Sequence, residues 1–230
     1  MKKISVRGSI VSNDEKWIYD WFGIEATSPN DVRKTLNEAN GEPVLVEINS
    51  GGGDLFAGSE IYSSLKAYEG DVEIHILGLA ASAASIIAQA GKSKISPTAM
   101  FMVHNVSGGA CGDYHEMLHQ AEVLETANRA VASAYMEKTG KTMEELQDIM
   151  DKETWLDAVK AVEHGFVDEV MFATAPVLTN GFGILSAETI EKMRMTIGIP
   201  QKVEEPIENV ELAKAKLNLL RKRGEIRNEI

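Results

Sequence analysis

The stretch VEIHILGLAASAASIIAQAG, residues 72–91, changes its pattern half-way. Its first part is β-branched and aliphatic, as a buried strand is; its second part is small and then aliphatic at helical spacing. A strand feeding straight into a helix is half of a βαβ unit, and the same succession appears on both sides of it. Upstream, PVLVEINS (43–50) reads as a buried strand ending in the turn SGGGD, followed by a helix with Gly58, Ile61, Tyr62 and Leu65 facing inward. Downstream, AMFMVHN (99–105) is a third apolar strand. Further out, ISVRGSIV (4–11) reads as a bent strand or strand pair, and SPNDVRKTLNEAN (28–40) as a helix capped by Ser28 with Pro29 at its first position. The glycines of GGACG (108–112) break the pattern before a long helix over 114–138, whose Ala-rich face holds Ala121, Leu124, Ala127, Val131 and Ala134. Thr142 and Glu145 form a capping box for another helix. After residue 172 the alternation stops. The chain is expected to divide into an α/β domain over 1–172 and, over 173–230, a linker with a helix at 206–223.

Composition narrows the function classes. The chain has 230 residues, 44% hydrophobic and 25% charged, as a folded globular protein does. A net charge of −12 argues against nucleic acid as a partner, since phosphate binding needs a basic face. The lone cysteine, Cys111, forms no internal disulfide and fits a reducing compartment. No uninterrupted apolar run marks a secretory leader or a membrane span, so the expected location is the cytoplasm.

Four places carry possible chemistry. Ser82 stands where a strand meets a helix, beside unpaired backbone N–H groups and the positive end of the helix dipole. Such groups can stabilise an oxyanion, although a serine at a helix start is most often a plain cap. Ser85, one turn further in, reads as a small packing residue. The lipase-type G-x-S-x-G elbow is absent. INSGGGD (48–54) bares backbone amides but lacks the spacing of a phosphate or dinucleotide loop, so an oxyanion donor fits it better and no cofactor is expected. His104 emerges at the end of an apolar strand, where ligand sites of open α/β folds sit. Imidazole suits the task of taking a serine proton and returning it to a leaving amine. His115 and His119 are spaced as metal ligands are, but no third ligand stands nearby and no metal site is expected. Asp151 and Glu153 in DKETW are acids placed to orient a histidine, and composition does not choose between them.

INSGGGDLFAGSEIYSSL, GLAASAASIIAQAG, MFMVHNVSGGACGDYHEM and ETWLDAVKAVEHGFVDEV resemble, in that order, the motifs of the ClpP family of serine peptidases. The resemblance covers about residues 4–172. It implies a ClpP/crotonase-like spiral of ββα units with a long protruding handle helix. Matched position by position, it implies the nucleophile at Ser82, the base at His104, the acid at Glu153 with Asp151 as fallback, and oxyanion amides at Gly53 and Ala83. Gly108 and Gly109 match a segment whose strand edge pairs with extended peptide substrate. The implied partners are a peptide or protein substrate and further copies of the chain in stacked rings.

The sequence departs from the family where Gly51 replaces a proline and where Glu153 replaces the usual aspartate. It begins almost at the first core strand, so no counterpart is expected for the segment that faces an AAA+ unfoldase, and an ATPase partner is doubtful. That pattern, with the extension after 172, is similar to the ClpP-like proteases of phages and prophages, which are thought to trim capsid or scaffold proteins. Two other readings stay open. GGGDLFAG resembles the oxyanion loop of crotonase-type acyl-CoA enzymes, which share the fold, and a ring-forming assembly protein without turnover is the non-enzymatic alternative.

Overall fold

The computed structural model describes residues 1–172, one of two units into which the chain divides at Ala173/Thr174. The linker and helix expected further on lie outside the described residues. In chain order the elements are β1 (Lys2–Ile10), α1 (Lys16–Phe22), β2 (Ala26–Thr27), α2 (Pro29–Ala39), β3 (Val44–Gly53), α3 (Leu55–Lys66) and β4 (Val72–Ala81). Then come α4 (Ala83–Ile87), β5 (Lys92–Ile95), β6 (Met100–Val103), α5 (Tyr114–Thr139), α6 (Met143–Asp151), β7 (Thr154–Asp157), α7 (Ala158–Glu163) and β8 (Glu169–Val170). The expected α/β class is the class observed.

The strands form one sheet, ordered β2-β1-β3-β4-β5-β8, in which every pairing is parallel except that of β6 with β7. One face of the sheet packs the core through residues such as Ile4, Val6, Val46, Ile48, Ile74 and Ile76, while the other carries the ion-paired Lys3, Glu47, Glu73 and Lys94. Strand β4 is shared between two neighbours. Glu73–Ile76 pair with β5, while Leu79–Ala81 pair with β6. The sheet therefore divides along β4, and its C-terminal end lies beside the end of β6. This division positions the site.

Local sequence explains most elements. Ser28 and Asp31 form a capping box at α2, Pro29 occupies its first turn, and Val32, Leu36 and Ala39 face the core. Thr142 and Glu145 form the expected box at α6. Strand β1 bends at a register shift between Arg7 and Ser9, where Gly8 has φ 63°. A Cβ on Gly8 would fall 1.8 Å from the Glu25 carbonyl oxygen, so no side chain fits there. Several elements depart from expectation. Strand β3 runs through the glycines to Gly53 instead of turning at Ser50. The helix after Ser82 has only five residues. The segment before α2 forms α1, which buries no residue and exposes Trp17, Trp21 and Phe22.

Helix α5 spans 26 residues, or about 39 Å at 1.5 Å per residue. Its Ala-rich face has three fates. Val131 and Ala134 are buried in the core, Leu124 and Ala127 line a cleft above it, and Ala121 is exposed. The start of the helix is exposed, with Tyr114, Met117 and Leu118 in solvent. Among the described residues no helix is long and apolar enough to cross a membrane.

Candidate active site

The register of β4 against β6 pairs Ala81 with Met102, and the Ser82 N–H continues it by donating to the Met102 carbonyl at 3.2 Å. Two residues beyond Met102, His104 leaves the strand end. Its Nε2 lies 2.7 Å from Ser82 Oγ. Both side chains are half-buried and line one cleft of about 390 Å³. A hydroxyl hydrogen-bonded to an imidazole nitrogen is the arrangement that general-base activation of a serine needs.

Ser82 has φ 54° and ψ −125°, a conformation that L-residues rarely adopt. Such a residue costs of order 1–3 kcal/mol and persists only where its surroundings enforce it. The strained strand-to-helix turn is therefore present although the G-x-S-x-G signature is not. The glycines that permit it lie elsewhere in the chain. A Cβ on Gly52 would lie 2.7 Å from Ser82 Cβ and 3.0 Å from the Ala83 nitrogen. One on Gly58 would lie 2.9 Å from Ala83 Cβ, so α3 reaches α4 only because residue 58 has no side chain. The requirement for glycine at 52 was not legible from residue order, because its reason is contact with Ser82, thirty residues away in sequence.

Gly53 and Ala83 line the cleft together with Ser82. The end of β1 presses on Gly53, where a Cβ would lie 2.1 Å from the Ile10 carbonyl oxygen, and the next amide, of Asp54, donates to that oxygen at 2.8 Å. Ser50 braces the same turn from below. Its buried Oγ donates to the Gly8 carbonyl at 2.6 Å and accepts from the Gly52 N–H at 3.1 Å. At Ala83, the first residue of α4, the N–H has no intrahelical partner and no other backbone acceptor among the described residues.

The far wall of the cleft comes from α5 and the loop before it, with Val106, Gly108, Gln120, Leu124 and Val131. A Cβ on Gly108 would meet Leu124 at 3.4 Å and Gln120 at 3.5 Å, whereas one on Gly109 would enter open space, and Gly109 is outside the cleft lining. The Gly108–Gly109 segment has irregular backbone instead of a strand.

Glu153 does not hydrogen-bond His104 in this structure. Its Oε1 accepts from the Trp155 indole N–H at 3.2 Å. Asp151 accepts from Asn105 Nδ2 at 2.7 Å. Among the described residues no carboxylate reaches the histidine ring. The last matched pair of β6 and β7 is Val103 with Thr154, and His104 and Glu153 are the next residues outward, beyond the paired strands. The turn from α6 into β7 puts Glu153 in the left-handed region, φ 46°, and sends its carboxylate along the strand toward Trp155.

The model of the Clp protease family matches residues 27–174, more than half of the sequence. The chain belongs to the Clp protease family. It is 34% identical over 143 residues to an ATP-dependent Clp protease proteolytic subunit 1 of Streptomyces coelicolor, covering 61% of this chain and 65% of that one. To the subunit 1 of Chlamydia muridarum it is 30% identical, over 66% of this chain and 76% of the relative. Among solved structures, a point mutant of ClpP1 from Listeria monocytogenes superposes with a TM-score of 0.62 at 23% identity, covering 74% of this chain and 91% of that one. That likeness establishes the ClpP fold.

Gly52 provides a local test of the geometry. Gly52→Ala sets a methyl group between Ser82 and the Ala83 amide at a residue with φ 94°. It is expected to lower kcat by roughly 100-fold, the cost of obstructing one oxyanion donor. Full activity in a folded Gly52→Ala protein would show that the Ala83 amide does not serve the reaction.

Proposed function

We propose that the chain is a serine endopeptidase that cleaves peptide bonds in protein substrates. Ser82 Oγ attacks the scissile carbonyl, and His104 Nε2 takes its proton and then delivers it to the leaving amine. The Gly53 and Ala83 N–H groups receive the oxyanion. The observation that carries this reading is the 2.7 Å contact between His104 Nε2 and Ser82 Oγ, made by a serine in a strained backbone at the mouth of a cleft. It also favours a peptidase over a crotonase-type enzyme, in which stabilising a thioester enolate needs no nucleophilic serine. Hydrolysis of an unfolded protein such as casein, set against turnover of an acyl-CoA thioester, separates the two. Casein cleavage abolished by fluorophosphonate is expected. Acyl-CoA turnover with casein intact would contradict the proposal, and inertness toward both would favour the assembly protein.

Glu153 completes the reading as the acid that orients His104, its carboxylate moving from the Trp155 indole to the imidazole. Glu153→Gln is then expected to lower kcat by roughly two to four orders of magnitude, as for other triad acids. Wild-type rates in Glu153→Gln with loss in Asp151→Asn would transfer the role to Asp151. Wild-type rates in both would leave a Ser–His dyad.

The working form is a homo-oligomer joined through the exposed half of α5. Tyr114, Leu118 and Ala121 follow one another at spacings of four and three on a stretch of helix that no other element covers among the described residues, as an interhelical seam requires. Light scattering is expected to give a multiple of the 25.1 kDa chain mass. A monomer across the micromolar range would refute the assembly. Capsid or scaffold proteins as substrates rest on the sequence resemblance alone and are tested by incubating such proteins with the enzyme.

A further inference from the structure

Beneath the nucleophile lies a buried chain of hydroxyls that the reaction itself does not use. Ser85 is 0% exposed, and Tyr135, on α5, is 1% exposed. Ser85 Oγ donates to the Ser82 carbonyl oxygen at 2.6 Å and lies 2.7 Å from the Tyr135 hydroxyl. A serine hydroxyl has a single proton, so with Ser85 donating to Ser82 the phenol must donate to Ser85. Burial pushes the Tyr135 phenol well above its ordinary range, which keeps it protonated as a donor. The direction is therefore fixed from Tyr135 through Ser85 to the Ser82 carbonyl.

That carbonyl belongs to the same peptide unit as the Ala83 N–H. A trans peptide is planar, with its C=O and N–H pointing in opposite directions, and no cis bond occurs among the described residues. Gripping the oxygen on the buried side thus aims the hydrogen away from it, toward the cleft that Ala83 lines. The backbone supplies one ordinary hydrogen bond to this oxygen and one long one. The Ser85 N–H reaches it at 2.9 Å, but the Ile86 N–H is distant at 3.4 Å, and the helix supplying them is only five residues long. The adjoining φ of 54° is disfavoured, so the peptide needs an anchor to stay in place.

We infer that Ser85 and Tyr135 are positioning residues that hold the Ser82–Ala83 peptide so that the Ala83 N–H stays aimed at the oxyanion. The inference rests on the serine-peptidase reading above. It gives Ser85 a role beyond the packing expected from sequence, and it couples the root of the long helix to the oxyanion site.

The test uses the full chain with three variants: Ser85→Ala, Tyr135→Phe, and the two combined. The probes are a fluorophosphonate, for the rate of Ser82 modification, and acetyl-leucine p-nitrophenyl ester, for kcat and KM. Because an oxyanion donor acts only as charge develops, kcat and the modification rate are expected to fall about tenfold in each variant with KM within twofold of wild type. Ser85→Ala leaves the buried Tyr135 hydroxyl without its hydrogen-bond partner and lowers the melting temperature as well. The double variant removes both partners, so its melting temperature should recover while its rate does not. Wild-type kcat in Ser85→Ala, or a rate that recovers together with stability in the double variant, would overturn the inference. If the double variant does not fold, Tyr135→Phe alone decides, since it removes one oxygen and keeps the ring. A wild-type chain inert to fluorophosphonate removes the peptidase reading and this inference with it. A reactive wild type with unaltered variants overturns this inference alone.

Discussion

Ser82→Ala is expected to reduce peptide hydrolysis by roughly four to six orders of magnitude while leaving the fold intact, because it removes the attacking oxygen and little else. Alanine suffers the same penalty as serine at φ 54°, so the melting temperature should stay within a few degrees of wild type. Ser82→Gly sharpens the point. Glycine accepts that backbone without strain, so this variant should be equally inactive yet more stable, by about 1 kcal/mol. Calorimetry beside a peptidase assay reads both quantities. Residual activity within tenfold of wild type in Ser82→Ala would place the nucleophile elsewhere.

His104→Ala is expected to fall to a similar floor. Its ring nitrogen is the only basic group hydrogen-bonded to Ser82 Oγ among the described residues, and without it the hydroxyl keeps its proton. The diagnostic quantity is the combination. Residues that act as one unit are strongly non-additive, so Ser82→Ala/His104→Ala should be no slower than either single variant. Single losses that multiply in the double variant would mean that the two side chains act in separate steps. A small effect of His104→Ala alone would assign the contact to structure.

Much of this was legible in the residues, and what was not has identifiable causes. Strands β3 and β6 announce themselves by the apolar runs VLV and MFMV, and β4 by its β-branched residues, with Ile74 and Ile76 buried between the half-buried Glu73 and His75. Capping chemistry reads equally well: Ser28 ahead of Pro29, and Thr142 with Glu145 three residues on, are local signals. Strand β5 has only four residues, with Ser93 and Ile95 turned inward and alternating with Lys92 and Lys94, too short a run to register as periodic. Helix α1 turns nothing inward, so no burial pattern could reveal it. At the site, Ser82 and His104 were named from strand-end positions, but their contact depends on β4 serving two neighbours. Gly52, Ser85 and Tyr135 act through contacts distant in sequence, and no spacing rule brings Tyr135 to Ser85 across fifty residues.

Glu153 shows where a motif and a side chain part company. The resemblance implies that it orients His104, whereas in the structure it lies just beyond the last β6–β7 pair and its carboxylate accepts from the indole N–H of Trp155. Register is a property of the backbone. A carboxylate on a rotatable stem follows whichever donor it meets, and the indole N–H is the donor it meets here.

The account depends most on a single activated hydroxyl, and covalent labelling addresses it most directly. Treating the full chain with a fluorophosphonate and locating the adduct by peptide mass spectrometry is predicted to show one stoichiometric modification, at Ser82. The modification should be lost in Ser82→Ala and strongly slowed in His104→Ala. An adduct at another residue, or no adduct on the folded wild-type protein, would contradict the central claim that Ser82 and His104 form a working nucleophile and base.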